Sequence, residues 1–186
     1  MKPAPALPAF DWRPATAADV PALAALYRAA ARRFGPIAYT PGQVDAWAGF
    51  ADDDAGFRAY VLAADTWVAE RVADDAILGF CGVATAGEPR EVNSLYVRPG
   101  ATGQGLGQEL LRRTLERARK AGARGFAAWA TPFSRPVFLR AGFVLARTVQ
   151  GEFAGTMFER YRVERREDAA RAGAAGPDDA RLNPAP

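Results

Sequence analysis

The chain has 186 residues, of which 49% are hydrophobic, and this length suffices for one sizeable core, so we expect a single domain. Its formal charge of +3 and sequence pI near 9.3 come from basic residues spread along the chain without a lysine-rich tract, so nucleic-acid binding is not indicated. The absence of histidine and the presence of one cysteine, Cys81, exclude an internal disulfide, the common metal sites and the Ser-His and Cys-His catalytic pairs.

Apolar periodicity and turn residues predict alternating strands and helices along the chain. Thr16 and Asp19 have the spacing of a reciprocal cap at the start of the first helix. Pro41 is typical of a helix start, and Gly122 takes the C′ position after the longest helix. The predicted elements are, in order, a strand at 10–16, a helix from there to 34, helices beginning at 41 and at 56–64, strands at 66–72, 76–84 and 91–97, a helix at 105–121, a strand at 125–130, a short helix after 132, and strands at 143–150 and 156–163.

The two ends of the chain differ in composition from the middle. Residues 1–9 are rich in proline and alanine, and residues 167–186 are rich in Ala, Gly, Pro and Asp without apolar periodicity. Both ends are predicted to be disordered, which leaves a domain at 10–166. No signal peptide and no apolar stretch of about 20 residues is present, so we expect a cytoplasmic protein without a membrane partner. Cys81 lies in the apolar run ILGFCGVA, which favours a buried inert thiol over a nucleophile.

The strongest functional signal is the segment VRPGATGQGLG at 97–107, between a predicted strand and the longest helix. Its glycines let the backbone approach a ligand closely, and the unpaired N–H groups of a helix's first turn favour an anion. The segment therefore predicts a pyrophosphate site. The alternative is that the glycines serve only to make the turn between strand and helix. A dinucleotide-binding fold would require G-x-G-x-x-G and an acid about 20 residues later. Here the glycines read G-x-G-x-G, and Arg124 and Phe126 stand at the acid's place.

Val97, Pro99 and the turn TGQGLG at 102–107 resemble the acetyl-CoA signature of the GNAT superfamily of N-acyltransferases, V-x-P followed by Q/R-x-x-G-x-G/A. Thr102 stands where that signature usually has Arg or Gln. The run YTPGQVDAWA at 39–48 is similar to one in a GNAT subgroup that includes YafP-type acetyltransferases, and that subgroup tolerates Thr at the head of the turn. The resemblance implies an α/β fold, the GNAT acyl-CoA N-acyltransferase fold, with a mixed central sheet of about six to seven strands flanked by helices.

The resemblance also implies direct transfer of an acetyl group from acetyl-CoA to a primary amine, without a metal. Glu91 takes the place of the family's general base, with a solvated strand end as the alternative. Asn93 would hold the amine or a bridging water, and the backbone N–H of Leu95 would polarise the thioester carbonyl. Strand alternation predicts one shared face for Glu91, Asn93, Leu95 and Val97.

The proton donor for the leaving thiolate is where this chain departs from the family pattern. Phe138 stands where many members carry tyrosine. Ser134, one helical turn earlier, is the substitute donor or a coenzyme contact, with a helix cap as the alternative. As a proton donor, Tyr96 is disfavoured because strand alternation places it on the opposite face. Tyr161 could serve only if the last strand reaches the site. The predicted contacts to acetyl-CoA are Leu95, Tyr96, Val97, Thr102, Gly103, Gln104, Gly105, Leu106, Gly107, Ser134 and Phe138.

On the acceptor side, the resemblance points to Phe34, Tyr39 and Trp47, with packing in the core as the alternative for these aromatics. Tyr39 is the predicted substrate contact because it lies in a loop. The acceptor itself, a small-molecule or peptide amine, is not identified by the sequence. Dimers are frequent in the family, so a homodimer is an open alternative to a monomer. Two rival functions are a non-catalytic acyl-CoA-binding or regulatory module, favoured by Thr102 and Phe138, and a nucleotide-binding domain.

Overall fold

A computed structural model of the protein describes residues 9–166. The elements follow the predicted order, with boundaries that differ by a few residues. The strands are β1 (Phe10–Pro14), β2 (Asp65–Arg71), β3 (Ile77–Val83), β4 (Arg90–Val97), β5 (Gly125–Ala130), β6 (Val144–Phe153) and β7 (Thr156–Arg166). The helices are α1 (Val20–Phe34), α2 (Pro41–Gly49), α3 (Asp54–Leu62), α4 (Leu106–Lys120) and α5 (Arg135–Arg140). The disorder predicted for 1–9 and 167–186 falls, except for residue 9, outside the described residues.

The strands form one seven-stranded sheet in the order β1-β2-β3-β4-β5-β7-β6. All neighbouring strands are antiparallel except β4 and β5, which are parallel and joined through α4. This pair is in register only at Arg90 with Phe126 and Glu91 with Ala127. Beyond these two positions the strands separate, so the sheet opens in its middle. The mixed α/β sheet predicted from the sequence is confirmed.

Helices cover the sheet on both sides and divide the core in two. On one side, which we call the α1–α3 face, the core includes Tyr27, Phe57 and Phe80. On the other, the α4 face, it includes Leu110 and Phe126. The apolar stripe predicted for α4 is confirmed, since its five members are buried against the sheet: Leu106, Leu110, Leu111, Leu115 and Ala118.

The predicted cap before α1 is present and is extended by an ion pair. The Asp19 carboxylate accepts the backbone N–H of Thr16 at 2.7 Å and its hydroxyl at 2.9 Å. Arg13 of β1 donates to both oxygens of Asp19, at 2.8 and 2.9 Å. The Arg13 hydrogen bonds lower the pKa of Asp19 to about 2. The cap thus fastens α1 to the first strand.

We expect Asp19→Ala to lower the free energy of unfolding at neutral pH by about 1–2 kcal/mol, because a cap and a half-buried ion pair are lost together. The pKa of Asp19 is depressed in the folded state, so its contribution is present above the unfolded pKa and is lost as pH falls through the folded one. The difference from wild type should therefore shrink below about pH 4. Urea unfolding across pH measures it, with exposed Asp45→Ala as the control. A difference independent of pH would contradict this assignment.

Candidate active site

The glycine turn before α4 has the backbone conformation that its sequence requires. Gly103 and Gly105 have φ angles of +77° and +86°, which L side chains rarely adopt. A Cβ added at either position would meet nothing within 4 Å, so these glycines border open space instead of filling a packed site. The first α4 residue whose N–H bonds within the helix is Glu109, which donates to Gly105 at 3.0 Å. The N–H groups before it have no intrahelical acceptor and are available to an anion.

A cleft of about 910 Å³ lies where β4 and β5 separate. Its volume is in the range of ligand sites. It reaches from the glycine turn past β4 to aromatic side chains of α1 and α2. Eleven of the fourteen residues predicted for the site line it, namely Asn93, Leu95, Tyr96, Val97, Thr102, Gly103, Gly105, Leu106, Gly107, Ser134 and Phe138. Three predicted residues are not in the lining: Tyr39, Glu91 and Gln104.

The backbone of β4 presents free edge groups to this cleft. Arg98 donates its N–H to the Leu78 carbonyl of β3 at 2.7 Å. Because successive N–H groups of a strand point to alternate edges, the Leu95 and Val97 N–H groups point away from β3. That edge is where β5 has separated from β4. The Leu95 N–H can polarise a thioester carbonyl in the cleft only if it points away from β3, so the predicted role of Leu95 requires this orientation.

A β-bulge interrupts β4 in front of these residues. Gly82 of β3 pairs with Ser94, but the next residue, Val83, pairs with Val92. Asn93 is therefore an extra residue in β4, and it shifts the alternation of side chains by one position. Its carbonyl accepts the Tyr60 hydroxyl at 2.7 Å, which ties the bulge to α3.

The bulge changes the face on which Glu91 lies. Val92 packs in the α4-face core together with Leu95, so its neighbour Glu91 points to the α1–α3 face. There Glu91 contacts Arg162, which is on the same face of β7 as the core residue Phe158. The prediction of one shared face is therefore wrong for Glu91, whereas Leu95 and Val97 both pack with the α4-face core.

The Glu91 carboxylate is held by an ion pair. Nη1 of Arg162 donates to both of its oxygens, at 2.9 and 2.7 Å, and the side chains of Glu91 and Arg162 are only 24% and 16% exposed. Burial raises the pKa of Glu91 above its ordinary value, and Arg162 opposes the rise. Glu91 thus lies beside the cleft as a buried carboxylate, without lining it.

Ser134 is engaged in the turn that begins α5. Its Oγ accepts the Thr131 N–H at 3.0 Å, and its own N–H donates to the Thr131 hydroxyl at 3.1 Å. This geometry supports the cap alternative, although Ser134 also lines the cleft. Phe138 is 3% exposed and packs its ring against Phe143 with centroids 5.0 Å apart. Gln104 is not in the lining, and its side-chain amide donates to the Gly100 carbonyl at 3.5 Å.

Three other tyrosines named in the sequence analysis take different positions around the cleft. Tyr96 lines the cleft from the α1–α3 face, where Trp47 Nε1 donates to its hydroxyl at 3.4 Å. Burial raises the pKa of Tyr96 to about 12. Tyr161 belongs to the α4-face core, and its hydroxyl donates to Glu159. Tyr39 packs edge-on against Trp47, outside the lining.

Sequence reasoning missed several lining residues. Arg140 is the one charged side chain that lines the cleft within residues 9–166, and it is exposed. In the segment 129–140, the sequence predicts only Ser134 and Phe138 as residues of the site. The lining residues without a predicted role are Ala30, Val92, Ser94, Gln108, Trp129, Thr131, Phe133, Val137 and Arg140.

None of the described helices is long and apolar enough to cross a membrane.

Solved structures with the same architecture come from several bacteria and an archaeon. A GCN5-related N-acetyltransferase from Rhodopseudomonas palustris is 23% identical, with a TM-score of 0.79 over 87% of this chain and 98% of its own. PaiA N-acetyltransferase from Thermoplasma acidophilum, in complex with coenzyme A, is 15% identical, with a TM-score of 0.69 over 85% and 99%. A GNAT family acetyltransferase from Brucella melitensis, in complex with acetyl-CoA, is 20% identical, with a TM-score of 0.61 over 92% and 97%.

These TM-scores establish that the chain shares the fold of the three proteins. No curated protein matches the chain. The sequence profile of the acetyltransferase (GNAT) domain, however, matches residues 37–165, which is more than half of the chain and includes the glycine turn, β4, β5 and α5. The protein is therefore a member of the GNAT acetyltransferase family.

Proposed function

We propose that the cleft binds acetyl-CoA, with the pyrophosphate at the glycine turn 103–107 and the thioester between β4 and β5. The observation that carries this proposal is that the turn and the gap between the strands open into one cleft. The turn offers unpaired N–H groups and open space, which suit a diphosphate. Exposed Arg140 adds a positive charge to the lining. Thr102 stands where the family signature usually has Arg or Gln, so that hydrogen-bond donor is missing from the turn.

In the proposed reaction the neutral amine attacks the thioester carbonyl directly. A C–N bond forms while the C–S bond breaks, and the electron pair leaves with the sulfur. The Leu95 N–H, at the free edge of β4, donates to the carbonyl oxygen as it gains negative charge. One such donor is worth about 3 kcal/mol in comparable oxyanion sites. Asn93 also lines the cleft, and its side-chain amide is proposed to hold the amine or a water.

Glu91 is the proposed general base, acting through a water because it lies beside the cleft and not in its lining. Its raised pKa supports this role, since a carboxylate is a better base when its pKa is nearer the working pH. Arg162 holds the carboxylate in one orientation. Asn93, two positions along the strand, connects the base to the cleft.

The leaving thiolate is proposed to take its proton from solvent or from Ser134. A thiol has a pKa of about 8.5, so it can leave as a thiolate near neutral pH and a dedicated acid is dispensable. We expect Phe138→Tyr to retain turnover within about threefold or to raise it. Thiol release measures turnover, with acetyl-CoA affinity and melting temperature as controls. A folded variant that binds acetyl-CoA normally but is inactive would show that the Phe138 ring has another task.

A second candidate is a module that binds acyl-CoA without catalysis. Three observations favour it: Phe138 has no proton to give, Ser134 is engaged in a turn, and Glu91 is paired with Arg162. Thiol release from acetyl-CoA with a panel of primary amines separates the two, because only an enzyme consumes the thioester. Competition between coenzyme A and ATP for binding separates both from a nucleotide-binding domain.

Other parts of the proposal rest on the sequence. Membership of the YafP-type subgroup is supported by the run at 39–48, whose Trp47 lines the cleft. The acceptor is proposed to be a primary amine of a small molecule or peptide. The homodimer, the cytoplasmic location and the substrate contact by Tyr39 stay predictions.

A further inference from the structure

The part of the cleft on the α1–α3 face is aromatic. Four lining side chains form a continuous chain of ring contacts, which we call the aromatic wall: Phe34, Phe133, Trp47 and Tyr96. The Phe133 ring is 6.5 Å from that of Phe34 and 6.1 Å from that of Trp47, and it is nearly parallel to Trp47, at 10°. Trp47 continues to Tyr96 at 6.4 Å.

The wall lies away from the proposed phosphate site. The glycine turn begins α4 and belongs to the α4 face, whereas the rings pack with the α1–α3 core. A coenzyme held at the turn therefore leaves the wall to the second substrate. Phe133 is only partly buried and lies in the segment between β5 and α5, so it borders both parts of the cleft.

The charge of the lining limits what this second substrate can be. Among the described residues that line the cleft there is no aspartate or glutamate, and exposed Arg140 is the one charge. A polyamine with several ammonium groups would find no carboxylate in the lining, and Glu91 beside the cleft is already paired with Arg162. An apolar wall also favours the neutral form of an amine, because desolvation lowers the pKa of an ammonium group. The neutral form is the nucleophile that acyl transfer requires.

We propose that the acceptor is a primary amine carried on an aromatic side group, and that this group packs against the aromatic wall. The inference rests on the proposed function and adds the substrate class to it. The wall supplies the contact area and the ring edges and faces that aromatic pairs use. Phe133 is the residue that sets this specificity, since it joins the rings of α1 and α2 across the cleft.

The test compares four amines on the full chain: 2-phenylethylamine, ethylamine, spermidine and phenylalanine. Calorimetry on protein saturated with coenzyme A measures amine binding without turnover, and thiol release from acetyl-CoA measures kcat/KM. We expect 2-phenylethylamine to exceed ethylamine and spermidine by about 10-fold or more in both. Phe133→Ala should remove that preference through KM, with unchanged coenzyme A affinity. Leu139→Ala, exposed on α5 outside the lining, is the control and should retain it.

Equal binding of ethylamine and 2-phenylethylamine would overturn the inference, as would a preference for spermidine. A preference for phenylalanine over 2-phenylethylamine would support the aromatic group and add a carboxylate to the acceptor, with exposed Arg140 as the charge in the lining that would pair with it. Failure of the proposed function gives a different result, because no amine would then release thiol from acetyl-CoA. The calorimetric measurements of amine binding would still test whether the aromatic wall prefers an aromatic amine.

Discussion

Replacing Gly105 with valine is expected to abolish coenzyme A binding while the protein stays folded. Gly105 has a φ of +86° and open space where a Cβ would lie. A side chain there would occupy the approach to the unpaired N–H groups of α4. Losing two hydrogen bonds to a charged diphosphate should weaken binding by about 100-fold or more. Calorimetric titration with coenzyme A measures this, and the milder Gly105→Ala serves if valine reduces folding.

Gly122→Val is the matched control for this substitution. Gly122 follows the other end of α4, has a φ of +92° and also borders open space, but it does not line the cleft. A side chain in this backbone conformation costs about 1–2 kcal/mol, so both variants should lose similar stability. Only the change at Gly105 should affect affinity. Unchanged coenzyme A affinity in folded Gly105→Val protein would refute the phosphate site.

Replacing Glu91 with glutamine is expected to lower turnover by about 100-fold, with little change in acetyl-CoA affinity. Glutamine keeps the shape of the side chain, but it cannot act as a base and take the proton of the amine through the bridging water. Because burial raises the pKa of Glu91, the wild-type enzyme should lose activity as pH falls and this carboxylate becomes protonated. The Glu91→Gln variant should lack this acidic limb. Steady-state thiol release across pH measures both effects.

Glu164→Gln controls for the ion pair. Glu164 also contacts Arg162, at 3.5 Å, and is more exposed than Glu91. Its loss should change turnover by less than about threefold, as expected for a surface pair. A small effect of Glu91→Gln without pH dependence would assign the base to water or to the substrate.

The elements of the fold could be predicted because their signals are local. The apolar stripe of α4, the reciprocal bonds of Thr16 with Asp19, and the glycine turn each arise from residues close in sequence. The backbone angles at Gly105 likewise follow from a short strand-turn-helix segment. Local signals therefore predicted the turn that we propose binds the coenzyme.

The acceptor part could not be predicted in this way. Asn93 forms a bulge without a glycine or proline to mark it, because the bulge depends on how β4 pairs with β3. Glu91 meets Arg162 from 71 residues away, so no spacing rule connects them. Phe133 joins the aromatic wall only because the turn before α5 packs against α1 and α2. These contacts depend on tertiary packing, and they decide the faces on which the side chains lie.

Acetyl transfer by this protein is tested most directly by measuring coenzyme A thiol and N-acetylated amine together in one reaction. Wild-type protein, acetyl-CoA and 2-phenylethylamine are mixed, the thiol is followed by a chromogenic disulfide, and the amide is quantified by mass spectrometry. We expect both products to form in equal amounts and both to be lost in the Gly105→Val variant. Saturable binding of acetyl-CoA with neither product formed, for this amine and for a wider panel, would contradict this expectation and identify a binding module.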